Sequence, residues 1–320
     1  MTDQPFIQYQ NITKSFAKNV ILDNISLDIN YGEIFGVIGK SGSGKSTMLN
    51  ILIGFLKPDK GQIIYQSRDI SRDLKSVQQQ FGFAAQEGSF YPKLTVYENL
   101  EYFGKMYNIS SLELKERIPK VLHLVELENA QHLLGYKLSS GMQKRLDIAC
   151  ALINDPKVLI LDEPTEDLDP MLRYDILDLI KKISKEKNVT VVVTSHLLNE
   201  VEYFCNRVAI LDNRHIIASG NINELKDKYS KFQEVSIELE SKNYDKLMKS
   251  YKRKRSIKKI VEREGKIYLY TNKGELLLKE ILNNLSRRKM KYIEVSLSKP
   301  SLQEVFEELI KKNVQVTRSS

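Results

Sequence analysis

Ile34-Phe35-Gly36-Val37-Ile38-Gly39-Lys40-Ser41-Gly42-Ser43-Gly44-Lys45-Ser46-Thr47 is an apolar run that leads into a glycine-rich loop. The run from Ile34 to Ile38 is too short for a helix and rich in strand formers, so it reads as a buried strand. Beyond the glycines, Met48, Leu49, Ile51, Leu52 and Phe55 recur at helical spacing. The loop therefore joins a strand to a helix N-terminus, where unpaired backbone N–H groups carry partial positive charge and attract phosphate oxygens. Gly39, Ser41, Gly42 and Gly44 supply backbone that wraps closely around phosphates. Lys45 reaches the β- and γ-phosphates as a point charge, Ser46 ligates the Mg²⁺ that bridges them, and Thr47 adds a phosphate contact.

A buried acidic pair elsewhere would give such a cradle its chemistry. Val158-Leu159-Ile160-Leu161-Asp162-Glu163 ends a second strand-like run in two carboxylates, which are costly to bury without a cation or water to serve. Asp162 is expected to hold Mg²⁺, directly or through water, and Glu163 to orient or deprotonate the attacking water.

The 320 residues, 42% hydrophobic and 28% charged, suffice for two globular domains. No window approaches the roughly 20 consecutive apolar residues that span a bilayer, and Met1-Thr2-Asp3-Gln4-Pro5 lacks the basic-then-apolar pattern of a leader, so a cytoplasmic location is expected. Cys150 and Cys205 lie in apolar segments without metal-type spacing and read as reduced, buried thiols. The net charge of +8 is concentrated in the last third, where residues 221–320 hold 24 Lys/Arg against 14 Asp/Glu. Lys252-Arg253-Lys254-Arg255, with Lys258 and Lys259, is the densest run. It reads either as a solvated turn or as an attraction to anionic lipid or nucleic acid; no interleaved aromatics suggest base stacking, so nucleic acid is disfavoured.

Residues 6–30 alternate apolar and polar positions as half-buried antiparallel strands do. Val96 to Leu134 is helical in pattern, Val158–Leu161 and Val189–Val193 read as buried parallel strands, and Met171 to Ser184 is a helix between them. These elements place one α/β domain at about residues 1–225, with a helical insertion at about 87–150. Residues 226–320 read as strand, helix, two strands, helix, strand and a last helix over Ser301 to Lys312, a small ferredoxin-like α+β accessory domain.

Leu138-Ser139-Ser140-Gly141-Met142-Gln143 precedes a helical run; alone, it would be a helix cap. In order with the other motifs it resembles the LSGGQ signature of ATP-binding-cassette (ABC) ATPases. The resemblance implies a P-loop NTPase fold of ABC type, with an antiparallel β subdomain and a helical insertion. It also implies ATP and Mg²⁺ as ligands, and head-to-tail dimers in which Ser139 and Gly141 contact the γ-phosphate held by the second subunit. By the same resemblance Gln86 is the Q-loop glutamine that senses Mg²⁺ and water, His196 the switch histidine, Asp169 the D-loop aspartate at the dimer seam, and Phe16 the adenine-stacking aromatic. Ser296 to Phe306 resembles the C-terminal motif of ATPase subunits of drug, lipid, polysaccharide and sodium exporters.

These resemblances imply an ATPase that drives export through a separate polytopic membrane permease, as a homodimer or with a related subunit, and peripheral to the cytoplasmic face. Glu87 to Pro92 is expected to form the permease's docking groove. The alternative is a soluble ABC ATPase acting on ribosomes or DNA. Ser140 and Asp167 stand where glycines are usual, and Met142 where glutamine is. A restricted backbone at Ser140 and a negative charge at Asp167 are expected to slow turnover.

Overall fold

The computed structural model describes residues 4–229, 232–252, 254–263, 265–298, 301–307 and 309–310. Met1 to Asp3, Arg253 of the basic run, Lys299 and Pro300 of the exporter-like motif, and Lys311 and Lys312 of the last expected helix lie outside these. The chain divides into two compact units, Met1–Asn221 and Ile222–Ser320.

In the first unit the elements run β1 (Ile7–Phe16), β2 (Asn19–Ile29), β3 (Ile34–Ile38), α1 (Lys45–Leu52), β4 (Lys60–Tyr65), β5 (Arg68–Asp69), α2 (Leu74–Gln79) and β6 (Phe81–Ala84). Three helices follow, α3 (Val96–Met106), α4 (Ser111–Val125) and α5 (Ser140–Leu152). The unit ends with β7 (Val158–Asp162), α6 (Pro170–Lys187), β8 (Thr190–Ser195), α7 (Leu198–Phe204), β9 (Arg207–Asp212) and β10 (His215–Asn221).

β2-β1-β4-β5 form an antiparallel sheet, and β10-β9-β3-β8-β7-β6 form a second sheet that is parallel apart from the β9–β10 hairpin. The central strands read as unbroken apolar runs because both of their faces are covered. Leu159, Leu161, Val191 and Val193 face a core shared with α3 to α6, whereas Phe35, Val37, Ile160 and Val192 face a core shared with α1 and the antiparallel sheet. Burying each such side chain contributes about 1.5–3 kcal/mol. Thr95 opens α3 through a capping box with Glu98.

The second unit runs α8 (Ile222–Tyr229), β11 (Gln233–Leu239), α9 (Asp245–Tyr251), β12 (Ile257–Arg263), β13 (Lys266–Thr271), α10 (Gly274–Arg287) and β14 (Tyr292–Ser298), and residues 302–307 are helical again. Its antiparallel sheet has the order β12-β13-β11-β14, the arrangement of a ferredoxin-like βαββαβ unit. Val235, Ile237, Leu239, Ile267 and Leu269 face Leu247, Leu277, Ile281 and Leu285 of α9 and α10 in a separate core.

Candidate nucleotide-binding site

β3 ends at Ile38 and α1 starts at Lys45, so residues 39–44 make the turn between them. Gly44 is the N-cap of α1 at φ 107°, with no side-chain cap and no acidic residue in the first turn. The positive end of the helix is therefore without a side-chain acceptor. Glycine is required there twice over, for the left-handed backbone and because a Cβ would lie 2.9 Å from Leu22 Cδ2. Ser43 Oγ is buried with no hydrogen-bond partner among the described residues. Uncapped N–H donors, an unsatisfied hydroxyl and an adjacent ammonium fit a phosphorylated nucleotide.

Adjacent strands β3, β8 and β7 end at one edge of the sheet, the usual ligand edge of open α/β folds. Lys45 Nζ donates to Gly39 O at 3.1 Å and pairs with Glu163 Oε1 at 3.1 Å, with both side chains buried. Glu163 follows β7 in the left-handed region, at φ 47°. Its Oε2 meets His196, through Nδ1 at 2.9 Å and the backbone N–H at 3.3 Å. Ser46 and Asp162, the chain neighbours of Lys45 and Glu163, carry oxygen ligands of the kind Mg²⁺ takes. Gln86 follows β6, and its amide donates to Glu166, whose own N–H donates to Glu163 O. Asp169 caps α6, accepting the N–H groups of Met171 and Leu172 at 3.0 and 3.1 Å.

Phe16 ends β1 opposite Asn19 and is 47% exposed; Ile21 and Leu22, farther along the same hairpin, border Gly44. The signature residues stand apart. Among the described residues, no hydrogen bond or ion pair joins Ser139 or Gly141 to residues 39–47. Ser139 caps α5 through Met142 N, and Gly141 is buried against Leu172, where a Cβ would lie 3.2 Å from Cδ2. Ser140 is the first residue of α5 and keeps negative φ. The expected backbone penalty of serine is therefore absent, because a helical residue does not need glycine's freedom. Asp167, at φ 62°, does occupy a glycine-like conformation.

Sequence reasoning missed Thr194 and Glu200. The Thr194 hydroxyl donates to Asp162 Oδ1 and accepts the Glu163 N–H at 3.0 Å, which fixes both acids. Glu200 of α7 is buried, accepts the Thr165 hydroxyl and pairs with Arg173 at 3.4 Å, tying α7 to the turn after β7. A threonine amid valines in β8 and an acid on the buried face of α7 were the available signals.

Tyr91, Tyr102 and Phe103 form an edge-on aromatic ridge, with centroids 4.8 Å apart for Tyr91–Tyr102 and 5.9 Å for Tyr102–Phe103. The two tyrosines are 46% and 41% exposed. Among the described residues, no helix is long and apolar enough to cross a membrane.

Residues 22–166 match the ABC transporter family model, and residues 220–310 match that of the ATP-binding protein DrrA1-3-like C-terminal domain. The linearmycin resistance ATP-binding protein LnrL of Bacillus subtilis is 37% identical over 219 residues, 68% of this chain and 70% of LnrL. The Nod factor export ATP-binding protein I of Cupriavidus metallidurans is 35% identical over 221 residues, 69% of this chain and 73% of that protein. Among solved structures, the dimeric bacterial ABC transporter cassette MJ0796 superposes with a TM-score of 0.61 at 32% identity, covering 67% of this chain and 98% of that one. The same cassette in a post-hydrolysis dimer with ADP and Pi gives 0.60. The chain thus belongs to the ABC transporter family, as an ATPase subunit whose cassette is followed by a DrrA-like C-terminal domain.

Proposed function

We propose that this ATPase drives export through a separate polytopic membrane permease, from its cytoplasmic face, as a head-to-tail dimer with a second copy or a related subunit. The first unit is the nucleotide-binding domain and the second an accessory domain. The observation that carries the reading is Glu163, whose two oxygens take Lys45 from the phosphate loop and His196 from the end of β8. Lys45 and the first-turn N–H groups of α1 hold the phosphates. Phe16 stacks the adenine, for about 1–3 kcal/mol by analogy with base stacking. Ser139 and Gly141 of each copy close over the nucleotide of the other, with Asp169 at the seam. Ser46, Asp162 and the Gln86 amide oxygen suit Mg²⁺, which neutralises phosphate charge when bound. Glu163 Oε2 accepts the proton of the attacking water, and His196 orients that carboxylate.

The half-exposed ridge of Tyr91, Tyr102 and Phe103 suits a cytoplasmic helix of the permease. Export rather than import is supported by relatives whose names refer to resistance and export. Exposed Lys252, Arg255 and Lys258 suit an anionic leaflet beside it. Replacing Glu163 with Gln tests the site. Turnover should fall roughly 100-fold or more while ATP binding persists and an ATP-dependent dimer accumulates on size-exclusion chromatography. Near-normal hydrolysis would remove Glu163 from the chemistry.

A further inference from the structure

Two side chains of α5 reach back to the segment that follows Gln86. Asp147, buried about two helical turns beyond Ser139, accepts the N–H groups of Ser89 at 2.6 Å and Phe90 at 3.3 Å through Oδ1. Gly88, at φ 85°, lies against the carboxylate, where a Cβ would come 3.3 Å from Oδ2. Lys144 Nζ donates to Gln86 O at 3.0 Å. Burial raises the Asp147 carboxyl above its ordinary value, opposed by the Ser89 N–H, the Lys144 ammonium and the Phe90 N–H. Fully buried Asn99 of α3 holds the next turn, accepting the Tyr91 N–H at 2.7 Å and donating to Tyr91 O at 3.1 Å.

Gln86 is therefore held from two sides. Its side chain donates to Glu166, in the turn after β7, while its carbonyl accepts from α5. A free loop between Gln86 and the aromatic ridge would absorb a small displacement by changing φ and ψ. A loop clasped by a buried carboxylate passes the displacement on, because packed elements move as bodies.

We infer that Asp147 and Lys144 are positioning residues for ATP hydrolysis, which lock the segment from Gln86 to Tyr91 onto the helix that begins at Ser139. The aromatic ridge, Gln86 and the signature residues then move together. This assignment rests on the site proposed above and names the link that keeps its two halves in register.

The test compares Asp147→Ala, Asp147→Asn and Lys144→Met in the full chain, by steady-state ATP hydrolysis and by amide hydrogen exchange. Asn keeps an oxygen acceptor for the two N–H groups, whereas Ala removes it. Asp147→Ala should speed exchange at residues 88–90 and lower kcat about tenfold with KM for ATP changed less than about twofold. Asp147→Asn should restore kcat to within about threefold, and Lys144→Met should lower kcat more mildly. Faster exchange with an unchanged kcat, an Asn variant as impaired as Ala, or a matching rise in KM would each overturn the assignment. Should the Ala variant not fold, an unchanged kcat in Lys144→Met overturns it. Glu163→Gln separates the two readings: if that variant still hydrolyses ATP, the site reading has failed, and if it does not, a silent Asp147 fails on its own account.

Discussion

Glu163 and Glu304 are both carboxylates largely shielded from water, and they are held in different ways. Glu163 takes the Lys45 ammonium on one oxygen and His196 Nδ1 on the other. Glu304 faces Tyr270, which also donates to Glu234 Oε2 at 2.6 Å, while Arg263 stands 3.9 Å away. Tyr270 thus presents one hydroxyl to two carboxylates, and Glu304 Oε2 is buried without a hydrogen-bond partner among the described residues. Burial, the largest influence, pushes the Glu304 carboxyl above its ordinary value, with Glu234 adding to it and the Tyr270 hydrogen bond and Arg263 opposing it. A carboxyl raised in the folded state contributes stability that is fully present below its unfolded value and is lost as pH rises through the raised one. Urea unfolding of Glu304→Gln, which fixes the neutral form, should show less loss of stability than the parent as pH rises above the ordinary carboxylate range. An identical pH dependence in the two proteins would show that Glu304 is not the group concerned.

At the scale of elements, β6 and α5 approach so closely that one position admits only glycine. A Cβ on Gly82 would lie 1.9 Å from Ala151 O, a backbone atom held in α5. Gly82→Ala should therefore destabilise the first unit by about 1–3 kcal/mol, read from the denaturation midpoint. An unchanged midpoint would mean that α5 can shift freely off the sheet. The central strands were legible in the sequence because strands covered on both faces must be continuously apolar, as Val158–Leu161 and Val189–Val193 are. Their order was not, since β3-β8-β7 adjacency depends on pairing between distant segments. The phosphate loop and the acids at the end of β7 were legible because phosphate chemistry demands those residue types at fixed short spacing. Thr194 and Asp147 carry no such local pattern.

At the scale of the molecule, each unit has its own core, and the residues of the proposed ATPase site belong to the first. Affinity capture of the full chain from detergent-solubilised cells should retain a polytopic membrane protein, and replacing Tyr91 and Tyr102 with charged residues should release it while ATP binding persists. Salt-sensitive retention on ribosomes or DNA would favour the rival reading of the basic second unit.

The sequence by itself determined the phosphate loop, the acidic strand end, the signature, the strand and helix order from β11 onward in the second unit and the central strands of the first, because each is written in neighbouring residues, whereas β4, β5, β9, β10 and α7 were not read from it. Tertiary structure alone decided which side chains meet. It set Glu163 between Lys45 and His196, made Ser140 an ordinary helical residue, and brought Asp147 to Ser89 across 58 positions of chain. Such contacts depend on strand order and on how closely helix and sheet can pack, which local spacing does not specify.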